Sequence, residues 1–384
     1  MPLLPIGTEL RGAGLSYQVR LRVHSTETST MTYIPHNRVF LTKKDKDRVV
    51  DVMNTGYIAD CVETQRLETH ITRLFGGGRA VATSSGTAAL YLALSGLGLP
   101  AGTAVAVPSY ACRALIDAVA MARLIPAIVD ISADYTIALD SFSEAVRKEQ
   151  VRAVIAVHTF GRLVDIQALR EASDVPVIED CCHALGGWPG PGVSLKGRRA
   201  IFSFYATKVV AGGQGGLLWD YDETLARYGR SFLATSATCS PYKAGFNFRF
   251  SDLQAALVLS QMERLDAIVE RRRQIARQYR IALPPHLLER TFPYEAEMPY
   301  RFIYAAYDRA ERDFIIQAFR LAGIRADPLY KPHELLHRQL HLDPGRFPHA
   351  ERAASTTVSI PIFSSLTEKE VSYICEHIHK IFIG

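Results

Sequence analysis

From residue 104 onward, short unbroken apolar runs alternate with segments whose apolar positions recur every three or four residues. The runs are AVAVPS at 104–109, AIVDI at 127–131, AVIAVH at 153–158, VPVIED at 175–180 and AIFSFY at 200–205. Between them, 112–124, 141–149 and 165–172 carry the helical spacing. This alternation is the signature of βαβ units and a mainly parallel sheet. The run GGLLWDY at 215–221 has the look of a strand but no room for a crossover helix, so it is expected to pair antiparallel.

Upstream, Val49, Val50 and Met53, then Leu67, Ile71, Leu74 and Phe75, predict two amphipathic helices, the second ended by Gly76-Gly77-Gly78. Residues 1–30 close on a polar Ser/Thr tract and show little periodicity, so they read as an N-terminal arm open to disorder. The pattern from Asp252 to Tyr279 predicts one long helix, with Arg271, Arg272 and Arg273 on a solvated face. Beyond Ala282 the chain is richer in Pro and His and reads as a small α+β domain. The expected division is an arm at 1–30, a large α/β domain at 31–265, and a linking helix with a small C-terminal domain at 266–384.

Composition narrows the picture modestly. Over 384 residues, 22% charged and 48% hydrophobic positions exclude disorder, collagen and coiled coil. The net charge of +5 is too mild to argue for nucleic acid and suits a small anionic ligand equally well. No apolar run approaches the ~20 residues of a membrane span, and the start of the chain lacks a basic, then apolar, leader. Six scattered cysteines, two of them adjacent at 181–182, form neither a disulfide framework nor a paired zinc pattern, so a reducing cytoplasm is expected.

In a parallel sheet, ligands bind beyond the carboxyl ends of the strands. Three such places stand out. Thr83-Ser84-Ser85-Gly86-Thr87 opens an apolar helix, and its free N–H groups and hydroxyls make either a phosphate cradle or a simple N-cap. Glu179-Asp180, followed by Cys181-Cys182-His183, puts a carboxylate at a strand end, where it can hold a protonated ring nitrogen, bind a metal or cap a turn. Ser203-Phe204-Tyr205-Ala206-Thr207-Lys208 runs into a glycine-rich turn. Of only ten lysines, Lys208 alone follows a strongly apolar strand and precedes such a turn. Lysine, strand-end acid and phosphate cradle together suggest pyridoxal phosphate, whose chemistry needs all three.

A different class is represented by His333-Glu334-Leu335-Leu336-His337, which matches the HExxH pattern of zinc hydrolases, with Glu351 as a conceivable third ligand. Pro332 puts the motif at a helix start and no metzincin-type third histidine follows, so coincidence is the favoured account and no metal is expected.

The order of blocks resembles the DegT/DnrJ/EryC1/StrS sugar aminotransferases. These blocks are SSGTAALYLAL, VPSYA, IPAIVDI, HTFGRLVDI, VIEDCCHALGG, FSFYATK with GGQGG, GFNFRFSDLQAAL, FPHAERAA and SIPIF, spread from about residue 39 to the C-terminus. The resemblance implies an α/β enzyme of fold type I, with a large domain built on a mainly parallel seven-stranded sheet between helices and a small C-terminal α+β domain. It implies pyridoxal 5'-phosphate as cofactor, Lys208 as the Schiff-base lysine and Ser203, Gly86 and Thr87 as phosphate ligands. Asp180 would face the pyridinium nitrogen, and His183 would lie near the cofactor's phenolic oxygen. Asn247 would be donated to the neighbour's phosphate in a homodimer. Tyr330 and His333 would line the substrate side. Cys112 stands where the family usually stacks an aromatic on the cofactor ring, and Tyr110 is a partial substitute if the strand stays extended. Gln214 replaces a common acid, and Ile58-Ala59-Asp60-Cys61 lacks the usual glycine. The expected activity is transfer of an amino group from an amino acid, glutamate or glutamine, to a keto-sugar, nucleotide-linked, or a keto-cyclitol. A lysine at 208 argues against the family's dehydratase branch, which has histidine there. A cofactor-binding member with different chemistry or a regulatory role is the alternative.

Overall fold

The computed structural model describes residues 33–188, 195–233, 246–294 and 298–383, so the predicted arm lies outside the described residues. Two helices come first, α1 (Lys43–Thr55) and α2 (Val62–Leu74). A capping box starts α1: the Thr42 N–H donates to Asp45, whose own N–H donates back to the Thr42 hydroxyl. No local side chain caps α2. Asp252 does so from 188 residues away, accepting the N–H groups of Glu63 at 3.0 Å and Thr64 at 2.9 Å.

The alternation follows as β1 (Arg79–Thr83), α3 (Gly86–Gly96), β2 (Ala104–Pro108), α4 (Ala114–Met121), β3 (Ile125–Val129) and α5 (Leu139–Glu149). It continues as β4 (Ala153–Val157), α6 (Ile166–Ala172), β5 (Val177–Asp180), β6 (Arg199–Ser203), β7 (Gly216–Asp220) and α7 (Thr224–Leu233). The seven strands form one sheet in the order β1-β7-β6-β5-β4-β2-β3. Only β7 runs against its neighbours, pairing antiparallel with both β1 and β6. Side chains alternate across the pleat. In β4, Ile155 joins the core under α3, α4 and α7, while Val154 and Ala156 face α5 and α6. Both faces are covered, which is why these strands read as unbroken apolar runs.

The remaining elements are α8 (Asp252–Met262), α9 (Leu265–Ala282), β8 (Phe302–Ala305), α10 (Arg309–Leu321), α11 (Leu336–Gln339), α12 (Pro348–Thr356), β9 (Thr357–Ile360) and α13 (Glu368–Ile383). A second core gathers around the antiparallel pair β8–β9 with α10 and α13. Helix α9 belongs to both cores: Leu265 and Val269 pack with the large sheet, and Ile275, Ala276 and Tyr279 with the second core.

Three expectations change. Strand β1 carries a single strong apolar residue, Val81, between alanines, so no apolar run announced it. The single helix expected over 252–279 is two, broken at Glu263-Arg264. The three arginines do not share a solvated face, because consecutive helical residues point about 100° apart. Arg272 is 3% exposed, and its Nη1 donates to the carbonyls of Pro299, Tyr300 and Ile362 at 3.0–3.3 Å.

Candidate active site

A cavity of about 290 Å³ opens at the carboxyl ends of the parallel strands. Each wall comes from a place where a strand stops. After β1, Ser85 caps α3, its hydroxyl accepting the Ala88 N–H at 3.1 Å. The N–H groups of Gly86 and Thr87 in the first turn are of the kind a helix leaves without internal partners, at its electropositive end. A Cβ on Gly86 would sit 3.0 Å from the Ser203 Cβ, so glycine is what lets β6 come this close. Ser203 ends β6 on the facing wall. The chain then turns through Lys208, whose N–H donates to the Tyr205 carbonyl at 2.8 Å, and Gly212 N–H closes back onto Phe204. Gly213 and Gly215 take positive φ angles of 79° and 130° in this turn.

Strand alternation separates the two acids of β5. Glu179 turns away from the cavity, accepting His158 Nε2–H at 2.9 Å and the Gly197 N–H. Asp180 turns into it, steadied by the Cys182 N–H at 2.9 Å. His183 also lines the cavity; its ring lies 4.1 Å from that of Tyr300 at an angle of 12°, and its buried Nδ1 has no partner. Burial, then the charges of Lys208 and Arg301, hold its pKa well below 6.5, so the ring is neutral. Burial pushes the Lys208 ammonium down, but Tyr300, Cys182, Cys112 and Asp180 outweigh it and leave the pKa raised.

The structure thus brings Gly86, Thr87, Cys112, Asp180, His183, Ser203 and Lys208 to one cavity, with Tyr110 and Tyr330 on its wall. Cys112 is exposed there. Tyr110 has no accessible surface: it sits among Tyr135, Phe160 and Tyr330, with the Tyr330 ring edge-on at 4.9 Å. It therefore offers no free face for stacking and instead backs Tyr330. Asn247 and His333 do not line the cavity, and both are exposed. Gln214 does line it.

The HExxH residues form no zinc site. Leu335 is extended (φ −62°, ψ 138°), so His333 and His337 are not on one helix. Both ring nitrogens of His337 are engaged, Nδ1 with Ser109 Oγ at 2.5 Å and Nε2 with Glu351 Oε1 at 2.8 Å.

Residues 40–379 match the model of the DegT/DnrJ/EryC1/StrS aminotransferase family. The chain belongs to that family. Similar solved structures include a putative sugar aminotransferase from Streptococcus pneumoniae in its PMP form (23% identity, 91% of this chain and 98% of that one, TM-score 0.83). DesV from S. venezuelae, in complex with a ketimine intermediate, is 26% identical over 88% of this chain and 94% of its own, with TM-score 0.80. PseC from Helicobacter pylori, an aminotransferase involved in the biosynthesis of pseudaminic acid, is 20% identical over 91% and 99%, with TM-score 0.81.

The protein is a pyridoxal-phosphate-dependent aminotransferase of fold type I. Its cavity fits that cofactor: the first turn of a helix and hydroxyls at one end, an acid at another, an unpartnered imidazole nitrogen and a lysine between. Tyr300 escaped the sequence reading, because its partners Lys208 and His183 are brought to it only by tertiary packing. No helix among the described residues is long and apolar enough to cross a membrane.

Proposed function

We propose that this aminotransferase moves the amino group of glutamate or glutamine onto a keto-sugar, most readily a nucleotide-linked one. The reading is carried by the convergence of Lys208, Asp180 and the start of α3 on one cavity, and by a family whose solved relatives include sugar aminotransferases. Gly86, Thr87 and Ser203 would hold the phosphate, Asp180 the protonated ring nitrogen, and His183 Nδ1 the phenolic oxygen. The bound group supplies an electron sink for the pair left on Cα when its proton departs. Lys208 Nζ would hold the cofactor, and its free amine would take the Cα proton and return it. Asp180, at the strand end, would keep the opposing ring nitrogen protonated.

Asn247 completes the site of a second copy. It is exposed and does not line its own cavity, which suits a phosphate site shared between two copies in a homodimer.

The test is a pair of half-reactions. Purified protein should show a visible absorbance band that borohydride bleaches, leaving cofactor mass on the Lys208 peptide. Glutamate or glutamine should shift that band, and nucleotide-linked keto-sugars should restore it where free keto-cyclitols do not. A protein that binds cofactor yet answers to no amino donor would be a regulatory member instead, and restoration by cyclitols alone would move the acceptor class.

A further inference from the structure

Tyr300 comes from the segment leading into β8, in the C-terminal half of the chain, yet it reaches the machinery after β6. The Lys208 Nζ lies 5.3 Å from its ring centroid, over the ring. Its hydroxyl donates to the Thr207 carbonyl at 3.5 Å, one residue before that lysine. His183 stacks on it, and the Arg301 guanidinium lies 4.7 Å from its centroid. A side chain serving only to fill space would not need a lysine ammonium at its face.

We propose that the ring of Tyr300 is a positioning element for Lys208, holding the amine over its π-face and bracing His183, so that the C-terminal half of the chain sets the state of the reactive lysine. A cation over an aromatic face is favoured by the ring quadrupole, and more so when desolvated, as here. The phenol is itself shifted: burial pushes it up, but Lys208, Arg301, the bond to Thr207 and Arg272 bring it down to about 8. The groups facing Lys208 are Tyr300, Cys182, Cys112 and Asp180. Those facing Tyr300 are Lys208, Arg301, Arg272 and His183. At pH 7 the phenol is protonated, and the ring face alone is read.

The inference rests on Lys208 being the cofactor's lysine, but its test reads the amine directly. Full-length protein freed of cofactor is labelled at pH 7 with limiting acetic anhydride, and acetylation of the Lys208 peptide is quantified against the other lysine peptides. Tyr300→Phe keeps the face and should label as the parent does. Tyr300→Leu and Tyr300→Met, the latter filling the volume without a π-face, should label about three- to tenfold faster, because the ammonium has lost its partner. Whichever of the two folds, judged by an unchanged far-ultraviolet spectrum, decides the matter. Parental labelling in a folded Leu or Met variant overturns the proposal, as does a Phe variant labelling as fast as they do. Absence of transamination would leave this result standing and would instead strike the proposed function.

Discussion

Two clusters in this molecule are built from similar residues and are used in opposite ways. Around β5 and β6, Asp180, His183, Ser203 and Lys208 face a cavity, and the buried His183 Nδ1 has no partner. Around His337, Ser109 and Glu351 engage both ring nitrogens, and the ring stacks on Phe347 at 4.3 Å. Serine, histidine and glutamate in a row resemble a nucleophilic triad, but Ser109 and His337 have no exposed surface for a substrate to reach. The buried group His158, Glu179 and Cys181, close enough to suggest a metal, is likewise engaged: His158 Nδ1 accepts the Val164 N–H at 3.0 Å and Nε2–H donates to Glu179. Buried polar atoms are normally paired. Chemistry is therefore to be sought where a cavity leaves them unpaired, and a saturated constellation is a fastening.

Lys208→Ala should break the reactive cluster most severely, lowering turnover on the order of 10³-fold or more with no loss of thermal stability. His337→Ala should do the reverse. It strips partners from the buried Ser109 hydroxyl and opens a hole beside Phe347, costing about 2–4 kcal/mol in denaturant titrations, while the cofactor's absorbance survives. Chelators should change neither quantity. A zinc-dependent loss of activity would reverse the assignment of the two clusters. His183→Ala falls between them, weakening cofactor affinity about tenfold, the worth of one hydrogen bond to a charged group, at less cost in stability than His337→Ala.

The smallest effect is on acid sensitivity. Burial, opposed by Glu351, lowers the His337 pKa from 6.5, and burial lowers those of His36 and His183 further. Below about pH 6.5 the unfolded chain binds more protons than the folded one, so stability falls on acidification until the folded pKa values are passed. His337→Gln should make the fall between pH 6.5 and 5.5 shallower, by less than the ~1.4 kcal/mol per pH unit that one proton sets. An unchanged slope would mean that folding leaves the His337 pKa where it stands in the unfolded chain.

Much of this was legible in the chain. Five of the strands are apolar runs because both sheet faces are covered, and Lys208 stood out among ten lysines by lying between such a run and a glycine turn. What stayed hidden depends on partners distant in sequence. Arg272 looked like surface because its carbonyl acceptors lie 27 to 90 residues on. The HExxH pattern looked like a helix because nothing local shows that Leu335 leaves the helical region or that Ser109, 228 residues back, takes the His337 ring. Tyr300 carries no motif, and only the fold brings it to Lys208.

The place of β7 governs the order in which the site can be assembled. It lies between β1 and β6, and its first residue, Gly216, is so close to the start of α3 that a Cβ there would fall 2.3 Å from the Ser85 carbonyl carbon. The start of α3 and the lysine turn, 122 positions apart, are neighbours only once that strand has threaded between them. Refolding followed through the cofactor's absorbance should lag the recovery of helical signal, because the gap that would take the cofactor is closed by β7.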